Sequence, residues 1–454
     1  MNLGPRPATR SEFLRQAQPV AVASALAGVV VPAVHAQEDN TIRVVLIGCG
    51  GRGTGAAANA LSVKHGPVKL VALADVFPDH VTKTANVLKK KFGEAVDVPQ
   101  DRQFIGFDAY RQAMDCLRPG DIVILATPPA FRWVQFGYAI EKGLHVFMEK
   151  PTTVDGPTTR KMLTLADEAE KKNLKTGVGL MSRHCPARQE MRKQIRDGIL
   201  GDITVMRSYR MHGPIASFCS PANPKQMSDL LYQIRRFHSF LWASGGCFSD
   251  FNIHNIDECC WMKGSWPVQA QALGARHYRG DKVDQNLDTY SVEYTFDDGA
   301  KLFFFGRCID GCYEDFSSTI YGTRGVASNT GPGQASRAQI FQGTKPAAGN
   351  LLWKSPTRVA SPYQQEWDDF VDAIRQDKPY NEARMGAESS LVTSMGRMAA
   401  HTGRVITYDE MLQCPHEFAP HVDKLALDSP PPLLPDAAGR YPIPQPGIVT
   451  AREY

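Results

Sequence analysis

Short, mainly apolar runs alternate with amphipathic stretches along the first third of the chain. The apolar runs cover residues 41–47, 68–74, 121–126 and 144–148. Runs without strict polar alternation are typical of strands that are buried on both faces, as in a parallel sheet. Strand-like and helix-like stretches that alternate in this way predict an α/β domain, which we place at residues 40–154.

A glycine-rich turn follows the first of these runs. Its sequence, GCGGRG, fits the pattern G-x-G-x-x-G and leads into an Ala-rich helical stretch. In this setting backbone N–H groups and the helix dipole can approach a diphosphate, which predicts a dinucleotide-binding Rossmann domain. The residues of this turn predicted to bind the cofactor are Gly48, Gly50, Gly51, Arg52 and Gly53. The alternative is a glycine-rich turn that binds no ligand.

Polar residues stand where the next three apolar runs end. Asp75 ends the second run, where a carboxylate would accept hydrogen bonds from ribose hydroxyls and repel a 2′-phosphate. NAD is therefore the predicted cofactor, and NADP is less favoured. Thr127 and Pro128 end the third run, and Glu149 and Lys150 end the fourth. Because ligands of open parallel sheets bind outside the carboxyl ends of the strands, these four residues are also predicted to lie near the cofactor.

The order of these motifs resembles the Gfo/Idh/MocA family, which includes glucose–fructose oxidoreductase and inositol dehydrogenase. The resemblance starts with G-x-G-x-x-G, continues with Ala-Thr-Pro at 126–128 and Glu-Lys-Pro at 149–151, and covers nearly the whole chain after the first forty residues. The family pattern G-G-x-x-x-D-x-x-x-H-x-x-D is matched from Gly245 to Asp257, with Asn252 where many members have glycine. Residues 381–389 are similar to the family's C-terminal helix.

The resemblance implies a second, substrate-binding domain at residues 155–425. It would be an α+β domain built on a large, mostly antiparallel sheet, so the fold class is α/β followed by α+β. The sequence agrees, because residues 203–210, 288–296 and 300–305 have strand patterns, and the last two runs flank an Asp-Asp-Gly turn. Family sheets commonly pack against one another, so a homo-oligomer, either a dimer or a tetramer, is expected.

Three residues are predicted to carry the chemistry. Asp250 and His254 are four residues apart, so on a helix both side chains would lie on one face. His254 is the predicted general base, because the usual pKa of imidazole suits proton transfer at neutral pH. Asp250 would hydrogen-bond a substrate hydroxyl or stabilise protonated His254. Lys150 would hold the reacting hydroxyl and a cofactor ribose, and in the family the matching positions carry these roles.

Three further residues are candidates for substrate contacts. Arg183 and His184 follow a strand-like stretch at 175–180 and could bind substrate hydroxyls, but a structural salt bridge is an equal alternative. Asp257 could contact the ligand or simply face solvent.

Composition excludes several classes of function. The chain has 454 residues and a formal net charge of only +4, without a basic tract, so a nucleic-acid partner is not expected. Its ten cysteines include no C-x-x-C pair, and no metal site is predicted, although Cys308 and Cys312 could pair in an exported protein. Beyond residue 40 no apolar stretch is long enough to span a bilayer.

The two ends of the chain have their own patterns. Basic residues precede an apolar run at 20–34 that ends in Val-His-Ala, so residues 1–36 are predicted to be a signal peptide. The signal is similar to twin-arginine signals, although Ser11 stands at the second arginine position. The prediction is an exported, periplasmic protein; the alternative is a cytoplasmic enzyme. Residues 426–454 are proline-rich and are predicted to form an extended arm.

Together these patterns predict an NAD-dependent oxidoreductase that acts on a sugar, a polyol or a sugar derivative. An alternative is a redox-neutral enzyme that keeps its NAD bound and returns the hydride in each cycle. Such an enzyme would be a sugar–sugar oxidoreductase, or a glycosidase that works by oxidation, elimination, hydration and reduction. A third alternative is a sensor that retained the fold and lost turnover.

Overall fold

The computed structural model describes residues 40–277, 280–330, 337–356 and 360–454. The predicted signal peptide lies outside these residues. Among the described helices none is both long and apolar enough to cross a membrane. No disulfide is present among the described residues, which include all ten cysteines.

The first sheet consists of six parallel strands. These strands are β1 (Ile42–Ile47), β2 (Val68–Asp75), β3 (Gln103–Ile105), β4 (Ile122–Leu125), β5 (His145–Met148) and β6 (Thr176–Val178). Their spatial order, β3-β2-β1-β4-β5-β6, is that of a Rossmann domain and confirms the predicted fold class. The helices of this part are α1 (Gly51–Ala60), α2 (Pro78–Phe92), α3 (Ala109–Met114), α4 (Arg132–Glu141) and α5 (Gly156–Lys171).

The parallel sheet continues beyond the boundary predicted at residue 154. Asp155 caps α5 through its side chain, which accepts a hydrogen bond from the N–H of Thr158, and α5 leads into β6. Strand β6 pairs with β5, because its apolar residues are buried on both faces of the sheet. Helix α5 and strand β6 therefore belong to the first sheet and its layers, whereas the family resemblance implied that the second domain begins at residue 155.

The second sheet has nine strands and is mostly antiparallel, as expected. Its strands are β7 (Ile203–His212), β8 (Gln269–Ala275), β9 (Thr289–Thr295), β10 (Lys301–Cys308), β11 (Asp315–Gly322), β12 (Gly325–Thr330), β13 (Arg337–Gln342), β14 (Leu351–Lys354) and β15 (Ile406–Thr407). Their order is β14-β13-β12-β11-β7-β10-β9-β8-β15. Strands β7 and β10 run parallel, whereas the other described neighbours are antiparallel.

The second half of the chain also contains helices, some of which pack on this sheet. They are α6 (Pro186–Arg196), α7 (Asp229–Arg235), α8 (Leu241–Ser244), α9 (Gly246–Lys263), α10 (Pro362–Arg375), α11 (Ala383–Thr402) and α12 (Tyr408–Gln413). Helix α9 packs against β7, and Phe248 near its start contacts the rings of Tyr290 and Phe304 at centroid distances of 4.4 and 5.7 Å. This apolar contact fixes the first turn of α9 on the sheet.

The C-terminal segment 426–454, which we call the C-terminal arm, contains no helix or strand. Near its end Glu453 accepts two hydrogen bonds of 2.9 Å from the buried guanidinium of Arg397 on α11. Arg397 also donates to Ser249 Oγ at 2.6 Å and to the carbonyl oxygen of Gly245 at 3.3 Å. The arm is therefore connected through Arg397 to the start of α9.

Candidate active site

The glycine-rich turn has the shape that its sequence predicts. Gly48 has a φ of +94°, and a Cβ there would lie 2.6 Å from the backbone of Ala126 and Thr127 on the neighbouring strand's exit. A Cβ on Gly53 would lie 1.9 Å from the carbonyl oxygen of Gly48, so only glycine fits. A Cβ on Gly50 or Gly51 would meet no atom within 4 Å. Gly48 and Gly53 therefore allow the tight turn, and the open space around Gly50 and Gly51 leaves the start of α1 accessible.

Asp75 lies beside this turn with its carboxylate fixed by backbone donors. Its Oδ2 accepts a hydrogen bond from the N–H of Cys49 at 2.6 Å, and its Oδ1 accepts one from the N–H of Phe77 at 3.0 Å. His80 Nδ1 lies 3.5 Å from Oδ2. The carboxylate thus stands at the carboxyl end of β2, where it can meet ribose hydroxyls and would repel a 2′-phosphate.

A cleft of about 720 Å³ opens at the carboxyl ends of these strands. It is lined by Gly48, Gly50, Asp75, Thr127 and Pro128, all of which the sequence assigned to the cofactor. Buried Arg132 supports the loop after β4, because it donates to the carbonyl oxygens of Leu125 and Thr127 at 2.5 and 2.8 Å. The glycine turn, the N-terminus of α1 and the fixed carboxylate of Asp75 at this cleft together fit a dinucleotide.

Lys150 and Asp250, one hundred residues apart, meet where strand β5 ends, although neither residue lines this cleft. Lys150 Nζ donates to the carbonyl oxygen of Asp250 at 2.6 Å and lies 3.6 Å from its Oδ2. Burial by itself would raise the pKa of Asp250, but the charge of Lys150 and a hydrogen bond from His238 outweigh burial and hold this pKa well below its usual value. Asp250 is therefore an ionised carboxylate at neutral pH.

His254 lies one helical turn after Asp250 on α9, as the spacing predicts. Burial lowers its pKa well below the usual value of 6.5, and the charges of Lys150 and Arg210 lower it further. Its Nδ1 is buried and has no hydrogen-bond partner among the described residues. The imidazole is therefore neutral at pH 7, whereas at the usual pKa about a quarter of it would be protonated.

His238 belongs to the same cluster, and sequence reasoning missed it. Its Nε2 lies 3.3 Å from Asp250 Oδ2, its Nδ1 lies 2.9 Å from Ser217 Oγ, and its ring stacks on Phe251 at 5.2 Å. Because a carboxylate only accepts hydrogen bonds, Nε2 of His238 carries a proton towards Asp250. His238 precedes Asp250 by twelve residues and lies outside every recognised motif, so no signal in the sequence marked it.

Tyr363 and Glu366 on α10, which sequence reasoning missed, lie near Glu149. Arg52 Nε lies 3.0 Å from Glu149 Oε1, and its guanidinium lies 4.9 Å from the ring centroid of Tyr363 on α10. Glu366, one turn further along α10, is buried with neither carboxyl oxygen hydrogen-bonded among the described residues. Burial and the nearby charge of Glu149 raise its pKa well above the usual value. In the structure Arg52 and Glu149 therefore pair with each other at the edge of the cofactor turn.

The three residues suggested for substrate contacts have partners within the protein. Arg183 donates to both carboxylate oxygens of Asp257 at 2.9 and 2.8 Å, and Asp257 is buried. His184 lies between Asp369 on α10 and Glu382, at 2.7 and 3.1 Å. The salt-bridge alternative thus describes Arg183 and His184, and Asp257 does not face solvent. The sequence left both alternatives open for His184, because neither α10 nor Glu382 could be placed near it.

Arg210 on β7 also reaches this region. Burial lowers its pKa, its Nε has no hydrogen-bond partner among the described residues, and its guanidinium lies 4.2 Å from the ring centroid of Phe316. A cation near Asp250 and His254 with a free donor is suited to a substrate hydroxyl. No group of three or more His, Cys, Asp or Glu side chains within the described ranges is arranged to hold a metal.

Comparison with known proteins identifies the family. The profile of the oxidoreductase family with an NAD-binding Rossmann fold matches residues 42–180, and that of the GFO/IDH/MocA C-terminal domain matches residues 188–328. The two matches follow one another and together span more than half of the chain. The chain belongs to the Gfo/Idh/MocA family. It is an oxidoreductase of this family, and its cofactor is NAD.

Relatives of this Gfo/Idh/MocA protein extend over most of its length. Inositol 2-dehydrogenase of Rhizobium meliloti (strain 1021) is 25% identical over 74% of this chain and 89% of its own. The structure of scyllo-inositol dehydrogenase from Lactobacillus casei with NAD(H) and scyllo-inositol has a TM-score of 0.59 at 21% identity. Aldose-aldose oxidoreductase from Caulobacter crescentus, complexed with glycerol, has a TM-score of 0.62 at 18% identity. Both structures cover 81% of this chain and are themselves covered to 99%, so they share its fold.

Proposed function

We propose that this protein oxidises a CH–OH group of a sugar, a polyol or a sugar derivative. The observation that carries the proposal is the meeting of Lys150, which follows β5, with Asp250 and His254 on α9. Lys150 follows a strand of the parallel sheet whose carboxyl ends form the cleft that fits NAD. The inositol dehydrogenases among the relatives favour the same class of substrate.

Oxidation of a carbinol requires that a hydride and a proton leave it together. When bound, NAD supplies the hydride acceptor. Lys150 holds the reacting oxygen, and its positive charge stabilises the alkoxide that develops there. His254 accepts the hydroxyl proton at a ring nitrogen, and its Nδ1 has no hydrogen-bond partner among the described residues. Ionised Asp250 stabilises the imidazolium formed, and Lys150 compensates for the weak basicity of the buried imidazole by lowering the pKa of the hydroxyl.

A panel of compounds tests this function. The full chain is incubated with NAD and, in separate reactions, with myo-inositol, scyllo-inositol, glucose or a methyl glucoside, while the absorbance of reduced nicotinamide is followed. At least one of these compounds is expected to reduce NAD, with no reduction in a Lys150→Ala variant. Protein that binds NAD but reduces it with none of the panel would overturn the proposal.

A second candidate function is redox-neutral turnover with NAD kept in place. The observation that favours it is that Ile234, Arg235 and Phe237, from the second half of the chain, line the same cleft as Gly50 and Asp75. Export through the proposed signal at residues 1–36 favours it too, because free NAD is not dependably available outside the cytosol. One equivalent of NAD released on unfolding extensively dialysed protein is expected. Nucleotide-free protein that turns over only with added NAD would reject this candidate.

A further inference from the structure

A segment of the second half of the chain lies over the mouth of the cofactor cleft. We call residues 229–244 the cover segment; it contains α7, the turn Phe237–Ser239 and α8. Ile234, Arg235 and Phe237 of this segment line the cleft opposite Gly50 and Asp75. A dinucleotide seated on the glycine turn would therefore have protein on two sides.

The cover segment contacts the Rossmann part at the edge of the cleft. Arg235 Nη2 and Nη1 lie 2.7 and 3.3 Å from the two carboxylate oxygens of Asp79, in the first turn of α2. The same guanidinium stacks over the ring of Phe77, 4.2 Å from its centroid. Phe77 itself lines the cleft, so Arg235 joins the two walls at the entrance.

Away from Arg235, the cover segment makes buried contacts within itself and with the C-terminal arm. Gln233 Oε1 accepts a hydrogen bond from Trp242 Nε1 at 2.6 Å, and its Nε2 donates to the carbonyl oxygen of Leu433 in the C-terminal arm at 2.8 Å. The ring of Phe240 packs edge-on against Tyr441 of the arm, at 4.9 Å. These buried contacts keep the rear of the segment in place, whereas Arg235 and Asp79 are 34% and 61% exposed. The end of the segment that carries Arg235 is therefore the part that can move away from the cleft.

We propose that Arg235, Asp79 and Phe237 form a latch that sets how long NAD stays bound. The latch rests on the proposed NAD site and adds a control of cofactor exchange to it. NAD leaves when the Arg235–Asp79 ion pair breaks and Phe237 moves away from the cleft. An exposed ion pair is weak and sensitive to salt, so the latch opens reversibly, and its rate of opening depends on ionic strength.

The experiment measures NADH release directly. The full chain is loaded with NADH and mixed with excess NAD, and the loss of bound nicotinamide fluorescence is followed. Arg235→Gln and Asp79→Asn are each expected to speed release about threefold, as for an exposed ion pair, and the double variant to add little, because the two residues act as one pair. Phe237→Ala is also expected to speed release. Molar salt is expected to speed release from the wild type and to leave Arg235→Gln almost unchanged.

A control ion pair lies at the start of the same segment. Lys225, four residues before the cover segment, pairs with Asp229, its first residue, through an exposed contact of 2.9 Å, and neither residue lines the cleft. Lys225→Gln is expected to release NADH at the wild-type rate. Release from Arg235→Gln and Phe237→Ala at the wild-type rate would overturn the latch while leaving the proposed function intact. Wild-type protein that binds no NADH at all would overturn both.

Discussion

Lys150 donates a hydrogen bond of 2.6 Å to the backbone carbonyl of Asp250, and the two side chains are 3.6 Å apart. The contact joins the end of strand β5 to the first turns of helix α9. It places an ammonium group, a carboxylate and, one turn later, the imidazole of His254 near the carboxyl end of strand β5. The catalytic proposal depends on this junction between the two sheets.

The first prediction concerns the amine and the imidazole. Lys150→Ala and His254→Ala are each expected to lower the single-turnover rate of hydride transfer by about 100-fold or more, because they remove charge stabilisation and the proton acceptor. Rapid mixing with a substrate from the panel measures this rate. His421→Ala, at an exposed position, is the control and should retain the wild-type rate. Unchanged rates in the first two variants would remove both residues from the mechanism.

The second prediction concerns His238. His238→Ala removes the donor that faces Asp250 Oδ2, so the pKa of Asp250 is expected to rise and the acidic limb of the kcat profile to move to higher pH. A fall in kcat of about tenfold at neutral pH is expected. His238→Gln keeps an N–H donor and is expected to recover most of the loss. A pH profile identical in the wild type and in His238→Ala would contradict this role.

The third prediction concerns the choice of cofactor. Asp75→Asn keeps the shape of the side chain but removes the charge that repels a 2′-phosphate. The preference for NAD over NADP, measured as the ratio of kcat/KM values, is expected to fall about tenfold or more. Equal use of NAD and NADP by the wild type would contradict the role of Asp75.

The fourth prediction concerns stability in alkaline solution. Burial by itself lowers the pKa of His184, but hydrogen bonds to Asp369 and Glu382 outweigh it and raise the pKa to about 10. A folded pKa above the unfolded value of about 6.5 stabilises the protein fully below pH 6.5, and this contribution is lost as pH rises towards 10. Urea unfolding at several pH values is expected to show a steeper alkaline decline in the wild type than in His184→Gln. Parallel declines would contradict the assignment.

The fifth prediction concerns the C-terminal arm. The Arg397–Glu453 pair is almost fully buried, so Glu453→Gln leaves a buried guanidinium without its counter-charge. The free energy of unfolding is expected to fall by about 3 kcal/mol. Glu410→Gln breaks an exposed pair with Arg404 and is expected to cost less than about 1 kcal/mol. Equal losses in the two variants would show that the arm contributes no more than a surface contact.

The sequence determined the parts of this protein that follow from local pattern. Apolar runs gave the strands β1, β2, β4 and β5, since strands buried on both faces need little information beyond their own residues. The glycine turn could also be predicted, because only glycine fits at Gly48 and Gly53. Asp75 could be predicted because it ends the second apolar run. The spacing of Asp250 and His254 correctly placed both on one helix.

Tertiary structure alone decided which distant side chains meet. His238 lies beside Asp250, Glu366 lies near Glu149, and Arg183 pairs with Asp257, although no local pattern links these residues. The low pKa of His254 is likewise a consequence of burial among charges from three separate segments. The closing of the cofactor cleft by Arg235 depends on the packing of the cover segment against the C-terminal arm. Contacts between residues far apart in the chain arise when elements pack, and packing is a property of the whole fold.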